Sequence, residues 1–220
     1  MNIRCRNIFG LQLAVYPGTE GVALNRNGRF NTICVFCGSA DRLNQIYLDA
    51  ARSMGMLLAK RGIELIYGAG KTGLMGALAD AILEAGGKVT GVVPMNLNQP
   101  QLIHAGLTRL EEVPDIRLRK ARMMELADAF IAMPGGYGTL DELFETLTLA
   151  QIGMHAKPVG LLDTGGYFTP LLEMIEQARR EKFIYDEHRD LLISSPDPSE
   201  LLTRLEQFTF PAGLERWVAR

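Results

Sequence analysis

From Thr32 onward, short hydrophobic runs alternate with longer segments in which apolar residues recur at helical spacing. Continuous apolar runs are typical of strands buried on both faces, and the helical spacing is typical of amphipathic helices. The runs that predict strands are TICVF, IELIYG, KVTGVVP, LTRLEEV, DAFIAMPGG, KPVGLLD and RDLLISS. Because helical segments separate these runs, the pattern predicts an α/β fold. The predicted fold is a single domain built on a doubly wound parallel sheet, with helices on both faces of the sheet.

The two ends of the chain fall outside this pattern. Residues 1–31 have no clear hydrophobic period and contain scattered Gly, Asn and Arg, which indicates an N-terminal extension. Residues 32–210 carry the strands and helices of one domain, and residues 211–220 form a C-terminal tail. The 220-residue chain is 47% hydrophobic, which is enough to bury one sizeable core.

Charge and composition exclude several classes of protein. A net charge of -2 does not suit a protein that coats nucleic acid or an anionic membrane. No apolar run reaches the roughly 18 residues of a membrane span, and the N-terminus lacks the features of a signal peptide. We therefore expect a cytoplasmic protein that binds neither nucleic acid nor membrane. Three cysteines do not form a disulfide framework.

The first of two glycine-rich loops, GAGKTGLMG, places Gly68, Gly70 and Gly73 in the spacing G-x-G-x-x-G between a strand and a helix. A dinucleotide site also needs an acidic residue at the end of the next strand, but that strand ends in VVPMNLNQ, which disfavours NAD. A P-loop is excluded because Leu65 stands where its first glycine would be. A phosphate or nucleotide site and a purely structural turn both stay open.

The second loop, PGGYGTLDELFE, runs from Pro134 to Glu145 after the fifth predicted strand. Glycines let the backbone approach a ligand, and the unpaired N–H groups of a helix N-terminus favour an anion such as phosphate. We expect the helix to start near Leu140 with Thr139 as its cap. In open α/β sheets ligands bind beyond the carboxyl ends of the strands, so both glycine loops lie where a ligand is expected.

Three carboxylates, Asp141, Glu142 and Glu145, closely follow this loop. They fit compensation of the helix dipole, together with a capping box between Thr139 and Glu142. However, a carboxylate beside a phosphate cradle opposes anion binding, and such an acid suits a reaction that develops positive charge on a sugar. Cleavage of an N-glycosidic bond passes through such an oxocarbenium-like state. Both interpretations remain open.

The helix before the fifth strand is rich in cations: DIRLRKARMME contains Arg117, Arg119, Lys120 and Arg122 within six positions. A solvated helix face explains most charge runs of this kind. In a doubly wound sheet, the N-terminal end of this helix can approach the edge that carries the glycine loops. An arginine there could bind a phosphate or ribose, or pair with an acid.

The segments YGAGKTGLMG and ARMMELADAFIAMPGGYGTLDELFE, the latter preceded by RK, resemble the LOG (Lonely Guy) family. Its signature PGGxGTxxE is matched from Pro134 to Glu142, and the likeness runs from about Thr32 to Phe208. Members were often labelled possible lysine decarboxylases and are understood as cytokinin riboside 5'-monophosphate phosphoribohydrolases. The resemblance implies a Rossmann-like fold, a homodimer, and no metal or organic cofactor. The implied reaction converts an adenine-type nucleoside monophosphate to free base and ribose 5-phosphate.

Matching positions imply roles for individual residues. Arg119 and Glu142 would be the catalytic pair, with Glu142 stabilising the ribosyl cation or activating water and Arg119 orienting Glu142 and the ribose. The second glycine loop would hold the 5'-phosphate. Together with the loop residues singled out above, the expected substrate-binding positions are Ser39, Gly68, Gly70, Gly73, Met75, Gln101, Lys120, Gly135, Gly136, Gly138, Thr139 and Thr148.

Two segments depart from the family pattern. Relatives often carry Arg-Glu-Leu after the third strand, whereas this chain has Pro100, Gln101 and Leu102, so Gln101 replaces a carboxylate. Relatives often read Met-His-x-Arg-Lys where this chain reads IRLRK. Both changes lie near the base or ribose, and they bear on base preference more than on glycosidic cleavage.

Other reactive side chains are assigned to structure. Cys34 and Cys37 form a C-x-x-C pair without the second pair that a zinc site needs, and we expect packing or loop positions for them. The histidines at positions 104, 155 and 188 show no metal-binding spacing. Lys71 and Lys157 suggest a pyridoxal phosphate Schiff base, but no partner for the pyridine nitrogen is recognisable, so lysine decarboxylation is rejected.

The sequence leaves two functions of different classes. The first is hydrolysis of the N-glycosidic bond of nucleoside 5'-monophosphates. The alternative is a nucleotide or phosphometabolite binding protein on the same fold without turnover, which fold alone does not exclude. The enzyme requires Arg119 and Glu142 to face a common pocket, so their geometry separates the two hypotheses.

Overall fold

The computed structural model describes residues 24–25, 28–212 and 214, in which strands and helices alternate. The strands are β1 (Thr32–Phe36), β2 (Glu64–Tyr67), β3 (Val89–Pro94), β4 (Arg109–Val113), β5 (Ala129–Ala132), β6 (Val159–Leu162) and β7 (Leu192–Ser195). The helices are α1 (Gln45–Arg61), α2 (Gly73–Glu84), α3 (Ile116–Leu126), α4 (Tyr137–Gln151), α5 (Thr169–Arg180) and α6 (Pro198–Glu206). Each element predicted from the hydrophobic pattern is present.

The strands form one parallel sheet in the order β4-β3-β2-β1-β5-β6-β7. From β1 the chain moves outward to β4, returns to the other side of β1 and continues from β5 to β7. This is the predicted doubly wound, Rossmann-like topology, and it is confirmed. The direction of winding changes between β1 and β5, where the loops leave the sheet on opposite faces and a crevice opens at the carboxyl ends.

Because helices cover both faces of the sheet, every strand except the edge strands β4 and β7 is buried along most of its length. In β1, Ile33 and Val35 face the core under α1, α2 and α6, while Cys34 and Phe36 face the core under α3, α4 and α5. This alternation follows from the two-residue period of a strand. It explains why the strand sequences are continuously apolar.

Helix α4 begins at Tyr137, three residues before the predicted start near Leu140. Its N-cap is Gly136, and no side chain forms a capping hydrogen bond at this end of the helix. The predicted Thr139 cap and the capping box with Glu142 are therefore wrong. The physical reason is that Gly135 has no Cβ: an added Cβ would lie 2.1 Å from the Thr139 hydroxyl, so glycine lets the backbone turn into the helix early. Glu142 consequently lies beyond the first turn, where the helix dipole has little effect on it.

Most of the predicted N-terminal extension and C-terminal tail lies outside the described residues. Of the extension, Phe30 is buried in the core, and the Asn31 N–H donates to Asp128 Oδ2 at 2.8 Å. The limits of the domain at 32 and 210 stay a prediction. No helix in the described part of the chain combines the length and the hydropathy needed to cross a bilayer.

Candidate active site

A cleft of about 550 Å³ opens at the carboxyl ends of the central strands. The loop after β1, the segment after β3, and both glycine loops line it, so they meet at the point where the winding reverses. From the predicted set, the residues that line this cleft are Ser39, Gly68, Gly70, Met75, Arg119, Gly135, Gly136, Gly138, Thr139 and Glu142. Gly73, Gln101, Lys120 and Thr148 are not among its lining residues.

Arg119 and Glu142 face each other inside the cleft, with 3.5 Å between Arg119 Nη2 and Glu142 Oε1. Arg119 lies in the first turn of α3, and that turn is fixed by Asp115, whose side chain accepts the N–H groups of Arg117 and Leu118. The buried Arg119 Nε has no hydrogen-bond acceptor among the described residues. One buried guanidinium donor is therefore left unsatisfied in the described structure.

The Glu142 carboxyl is nearly enclosed, with only 12% of its side chain exposed. Burial raises its pKa to about 7; the nearby Arg119 cation opposes this shift, and the Asp141 carboxylate adds to it. A carboxyl with a pKa near 7 can gain and lose a proton close to neutral pH, as a general base or acid must. An ordinary helix-surface glutamate has no such property.

Gly68 makes room for the arginine rather than for a ligand. A Cβ at this position would lie 1.7 Å from Arg119 Nη2 and 2.8 Å from its Cζ. The guanidinium therefore fills the space that a side chain at position 68 would need. At Gly70 a Cβ would instead meet the flexible end of Met75, at 3.0 Å.

The N-terminus of α2 is occupied by the protein itself. The N–H groups of Leu74 and Met75 donate to the Gly38 carbonyl at 2.9 and 3.3 Å. Gly73, with a φ of 60°, packs against the backbone of Ser39, whose carbonyl also accepts the Thr72 hydroxyl at 2.7 Å. The first glycine loop is thus a tight structural turn at this helix end, while Gly68 and Gly70 border the cleft.

The N-terminus of α4, in contrast, is open. Its first internal bond joins the Leu140 N–H to the Gly136 carbonyl at 3.1 Å. The N–H groups of Tyr137, Gly138 and Thr139 have no acceptor within the described residues. A Cβ added to Gly136 or Gly138 would meet nothing within 4 Å. Free donors, a positive dipole end and empty space together make a cradle for an anion.

Lys120 points to α4 instead of into the cleft. Its Nζ contacts Asp141 Oδ2 at 2.9 Å and also pairs with Glu145. This double ion pair joins α3, one residue beyond Arg119, to the residues on either side of Glu142 on α4, one residue before it and three residues after it. Lys120 therefore holds together the two helices that carry Arg119 and Glu142.

Two further predicted residues lie away from the cleft. Gln101 is exposed, and its side chain bonds to Gln99. Thr148 lies on the exposed face of α4, where its hydroxyl donates to the Phe144 carbonyl at 2.7 Å. Neither side chain lines the cleft that holds Arg119 and Glu142.

Sequence reasoning missed an apolar wall of the cleft. Its residues are Leu43, Tyr47, Pro94, Leu97, Leu102, Ile103 and Tyr167. The segment after β3 folds back over the first glycine loop: Gly70 pairs with Ile103 in an isolated antiparallel bridge, and the Lys71 N–H donates to the Leu102 carbonyl at 3.1 Å. A hydrophobic period cannot reveal this contact, because the segment is irregular.

The cysteines are packing residues, as expected: Cys34 and Cys37 are both buried and unpaired. Burial raises the pKa of both thiols, and the Glu142 carboxylate adds to this shift, so they stay protonated. Cys37 also forms part of the cleft floor.

Lys157 and His155 form hydrogen bonds to backbone carbonyls that stabilise the fold. Lys157 donates to the Met124 carbonyl at 2.7 Å, and His155 bonds to the Thr146 carbonyl at 3.0 Å. Burial lowers the pKa of His155 to about 4, so the imidazole is neutral at pH 7. Within the described ranges, no cluster of three or more His, Cys, Asp or Glu side chains could hold a metal ion.

Known proteins were compared with the chain. A sequence model of the family described as "Possible lysine decarboxylase" matches residues 75–205. The chain is 46% identical over 182 residues to "Probable cytokinin riboside 5'-monophosphate phosphoribohydrolase LOGL1" of Oryza sativa subsp. japonica, covering 83% of this chain and 82% of that protein. It is 43% identical over 183 residues to "Cytokinin riboside 5'-monophosphate phosphoribohydrolase LOG3" of Arabidopsis thaliana, covering 83% and 85%.

Among solved structures, the chain is similar to the molybdenum cofactor binding protein from the phototrophic bacterium Rippkaea orientalis. The TM-score is 0.61 at 22% identity, covering 81% of this chain and 97% of that one, and this likeness shows the fold alone. The sequence matches are stronger, because they combine a family model that spans more than half of the chain with relatives above 40% identity. The chain belongs to the LOG family, whose sequence model is described as possible lysine decarboxylase.

Proposed function

We propose that this protein hydrolyses the N-glycosidic bond of cytokinin or adenine nucleoside 5'-monophosphates, releasing the free base and ribose 5-phosphate. The observation that carries the proposal is a single cleft that brings together an anion-binding helix end and a buried carboxyl group. The open N-terminus of α4 offers unpaired N–H groups to an anion, and the buried Glu142 carboxyl stands beside Arg119. The names of the relatives in rice and Arabidopsis support the same reaction.

The spacing along α4 suits a pentose phosphate. Tyr137, the first helical residue, and Glu142 are five residues apart, which is about 7.5 Å along a helix that rises 1.5 Å per residue. A 5'-phosphate bound at the first turn then leaves room for the ribose ring between it and the carboxylate. The substrate's anionic end is thereby kept away from Glu142, which reduces the repulsion between the two.

Glu142 would act on the anomeric carbon. The C1'–N bond breaks, a water oxygen bonds to C1', and the carboxylate accepts one water proton and then releases it, while the leaving base takes up one proton, so that the sum is one water added across the C1'–N bond. The negative carboxylate also stabilises the ribosyl cation that develops as the base departs. Arg119, whose Nη2 lies 3.5 Å from Glu142 Oε1, orients the carboxylate and the ribose.

The part of the apolar wall formed by the segment after β3, at Leu97, Leu102 and Ile103, would receive the base. Leu97 and Leu102 present 40% and 44% exposed side chains beside the cleft, with no charged side chain among the wall residues of the segment after β3. An adenine ring and an apolar substituent on it suit such a surface better than a polar sugar does.

Chromatography of reactions with AMP, isopentenyladenosine monophosphate and the corresponding ribosides tests the function. We expect release of free base from monophosphates and poor cleavage of ribosides, because the cradle of α4 contributes affinity only when a phosphate is present. Absence of base release from any purine or pyrimidine monophosphate contradicts the proposal. Tight calorimetric binding of an uncleaved nucleotide would then identify a binding protein.

Activity should depend on pH through Glu142. Because burial raises the pKa of this carboxyl to about 7, the protonated form dominates below neutral pH and cannot accept a proton from water. We expect kcat/KM to rise from pH 5 to pH 8 with a midpoint near 7, after allowance for the substrate phosphate, whose second ionisation lies near pH 6. A midpoint near 4.5, the ordinary value for a glutamate, contradicts the enclosed geometry.

We further propose that the protein is a cytoplasmic homodimer. Helix α5 has no fully buried residue, and its Met174 side chain is 69% exposed; on α4, Phe144 is also exposed. Apolar side chains left exposed on α4 and α5 suit a contact with a second copy of the chain. Light scattering should give twice the 24.3 kDa mass of one chain, and a monomeric mass at micromolar concentration counts against the dimer.

A further inference from the structure

Tyr167 lines the cleft from the segment that joins β6 to α5, and its ring is held from two sides. It follows a short 3-10 turn at Thr164–Gly166 and precedes the buried Phe168, whose N–H donates to Asp163 Oδ1 at 2.6 Å. The Tyr167 ring meets Phe168 and Tyr47 edge to face, with centroids 5.0 and 6.0 Å apart. The hydroxyl group is thereby directed to one place on the cleft wall.

At that place the Tyr167 hydroxyl donates to the Gly135 carbonyl at 2.6 Å. A trans peptide is planar, so its carbonyl oxygen and the N–H of the next residue point in opposite directions. A bond that fixes the Gly135 carbonyl therefore also fixes the direction of the Gly136 N–H. That N–H has no acceptor among the residues described, and it directly precedes the three open N–H groups of α4.

This peptide needs an anchor because glycine stands on both sides of it. Gly136 has a φ of -91°, and rotation of the peptide by about 180° would carry this φ to a positive value that glycine adopts readily. A rotated peptide would turn a carbonyl oxygen, instead of an N–H, toward the place of the anion. The cradle would then lose one donor and gain a repulsive dipole.

We propose that Tyr167 is a positioning residue whose hydroxyl holds the Gly135–Gly136 peptide with its N–H facing the anion. The inference rests on the proposed function only in placing a phosphate at the start of α4. It adds a residue outside both glycine loops, contributed by the loop after β6. Tyr167 acts through the backbone of Gly135, and Gly136 makes the contact with the ligand.

Replacement of Tyr167 by phenylalanine tests the inference, since the ring contacts stay and only the hydroxyl is removed. Tyr47→Phe is the matched control: Tyr47 lines the same cleft, and in the described structure its hydroxyl makes no hydrogen bond. Calorimetry with inorganic phosphate and ribose 5-phosphate should show binding roughly three- to tenfold weaker in Tyr167→Phe, the range expected for loss of one neutral hydrogen bond. Tyr47→Phe should bind like the parent protein.

A measurement without ligand separates positioning from direct contact. In nitrogen-15 spectra of the free protein, the Gly136 amide signal should shift or broaden in Tyr167→Phe and remain unchanged in Tyr47→Phe. An unchanged Gly136 signal, an unchanged phosphate affinity, or a parent protein that binds no phosphate overturns the inference. These results do not depend on turnover, whereas failure of the proposed hydrolysis shows only in the release of base by the parent.

Discussion

Replacement of Glu142 by glutamine should lower kcat for nucleoside monophosphates by about a thousandfold, with nucleotide affinity retained within a few-fold. Glutamine keeps the size of the side chain but carries no charge to stabilise a ribosyl cation and cannot accept a proton from water. The open N–H groups of α4 lie at a distance from position 142, so they still bind the phosphate. Single-turnover kinetics and calorimetry with AMP measure the two quantities separately.

Asp141→Asn is the matched control, because it makes the same chemical change one residue earlier. Asp141 is 61% exposed, pairs with Lys120 and does not line the cleft, so this variant should keep kcat within a few-fold of the parent. Equal losses in the two variants would show that general charge on α4, not a specific carboxyl, supports turnover.

The same Glu142→Gln variant should be more stable than the parent protein above neutral pH. Because burial raises the pKa of Glu142 to about 7 from an ordinary value of 4.5, the folded protein holds this proton more tightly than the unfolded chain does. The parent's free energy of unfolding therefore falls as pH rises from 4.5 to 7, and glutamine removes that loss. The gain at pH 8 is on the order of 3 kcal/mol at most, and thermal unfolding at pH 5 and pH 8 measures it.

The hydrophobic pattern was sufficient to predict the fold because the strands are buried on both faces. TICVF, IELIYG and KVTGVVP are continuous apolar runs, and α1, α2 and α6 return to the same core with helical spacing. A parallel sheet then brings the carboxyl ends of its strands to one edge. For this reason the position of both glycine loops beside a cleft follows from the sequence alone.

The local details of the site could not be predicted, because they depend on contacts between distant segments. G-x-G-x-x-G suggested an anion site at α2, yet the Gly38 carbonyl from another loop occupies that helix end. The wall formed by the segment after β3 follows from its bridge to Gly70. Threonine is a common N-cap residue, so the sequence favoured Thr139 as the cap of α4. Gly135 lets the helix begin earlier, at Tyr137. Lys120 belongs to the basic run, and only its pairing with α4 reveals its structural role.

Replacement of Gly68 by alanine should lower kcat/KM at pH 7 by about a hundredfold, although position 68 need not touch the substrate. The new Cβ would lie 1.7 Å from Arg119 Nη2, so the guanidinium has to leave its place opposite Glu142. Glu142 then loses the cation that lowers its pKa, and the pKa rises further above 7. We therefore expect the acid limb of the pH profile to move to higher pH as well.

A double-mutant cycle with Arg119→Ala distinguishes this effect from general damage to the fold. If Gly68→Ala acts by displacing the arginine, it should cost less than about threefold in kcat/KM when Arg119 is already truncated, because no guanidinium remains to clash with. Gly70→Ala is the matched control in the same loop, since its Cβ would meet only the flexible end of Met75. If the losses in kcat/KM of the two single variants add up in the double variant, Gly68 is needed for the turn itself. The pairing of Arg119 with Glu142 would then not explain why position 68 is a glycine.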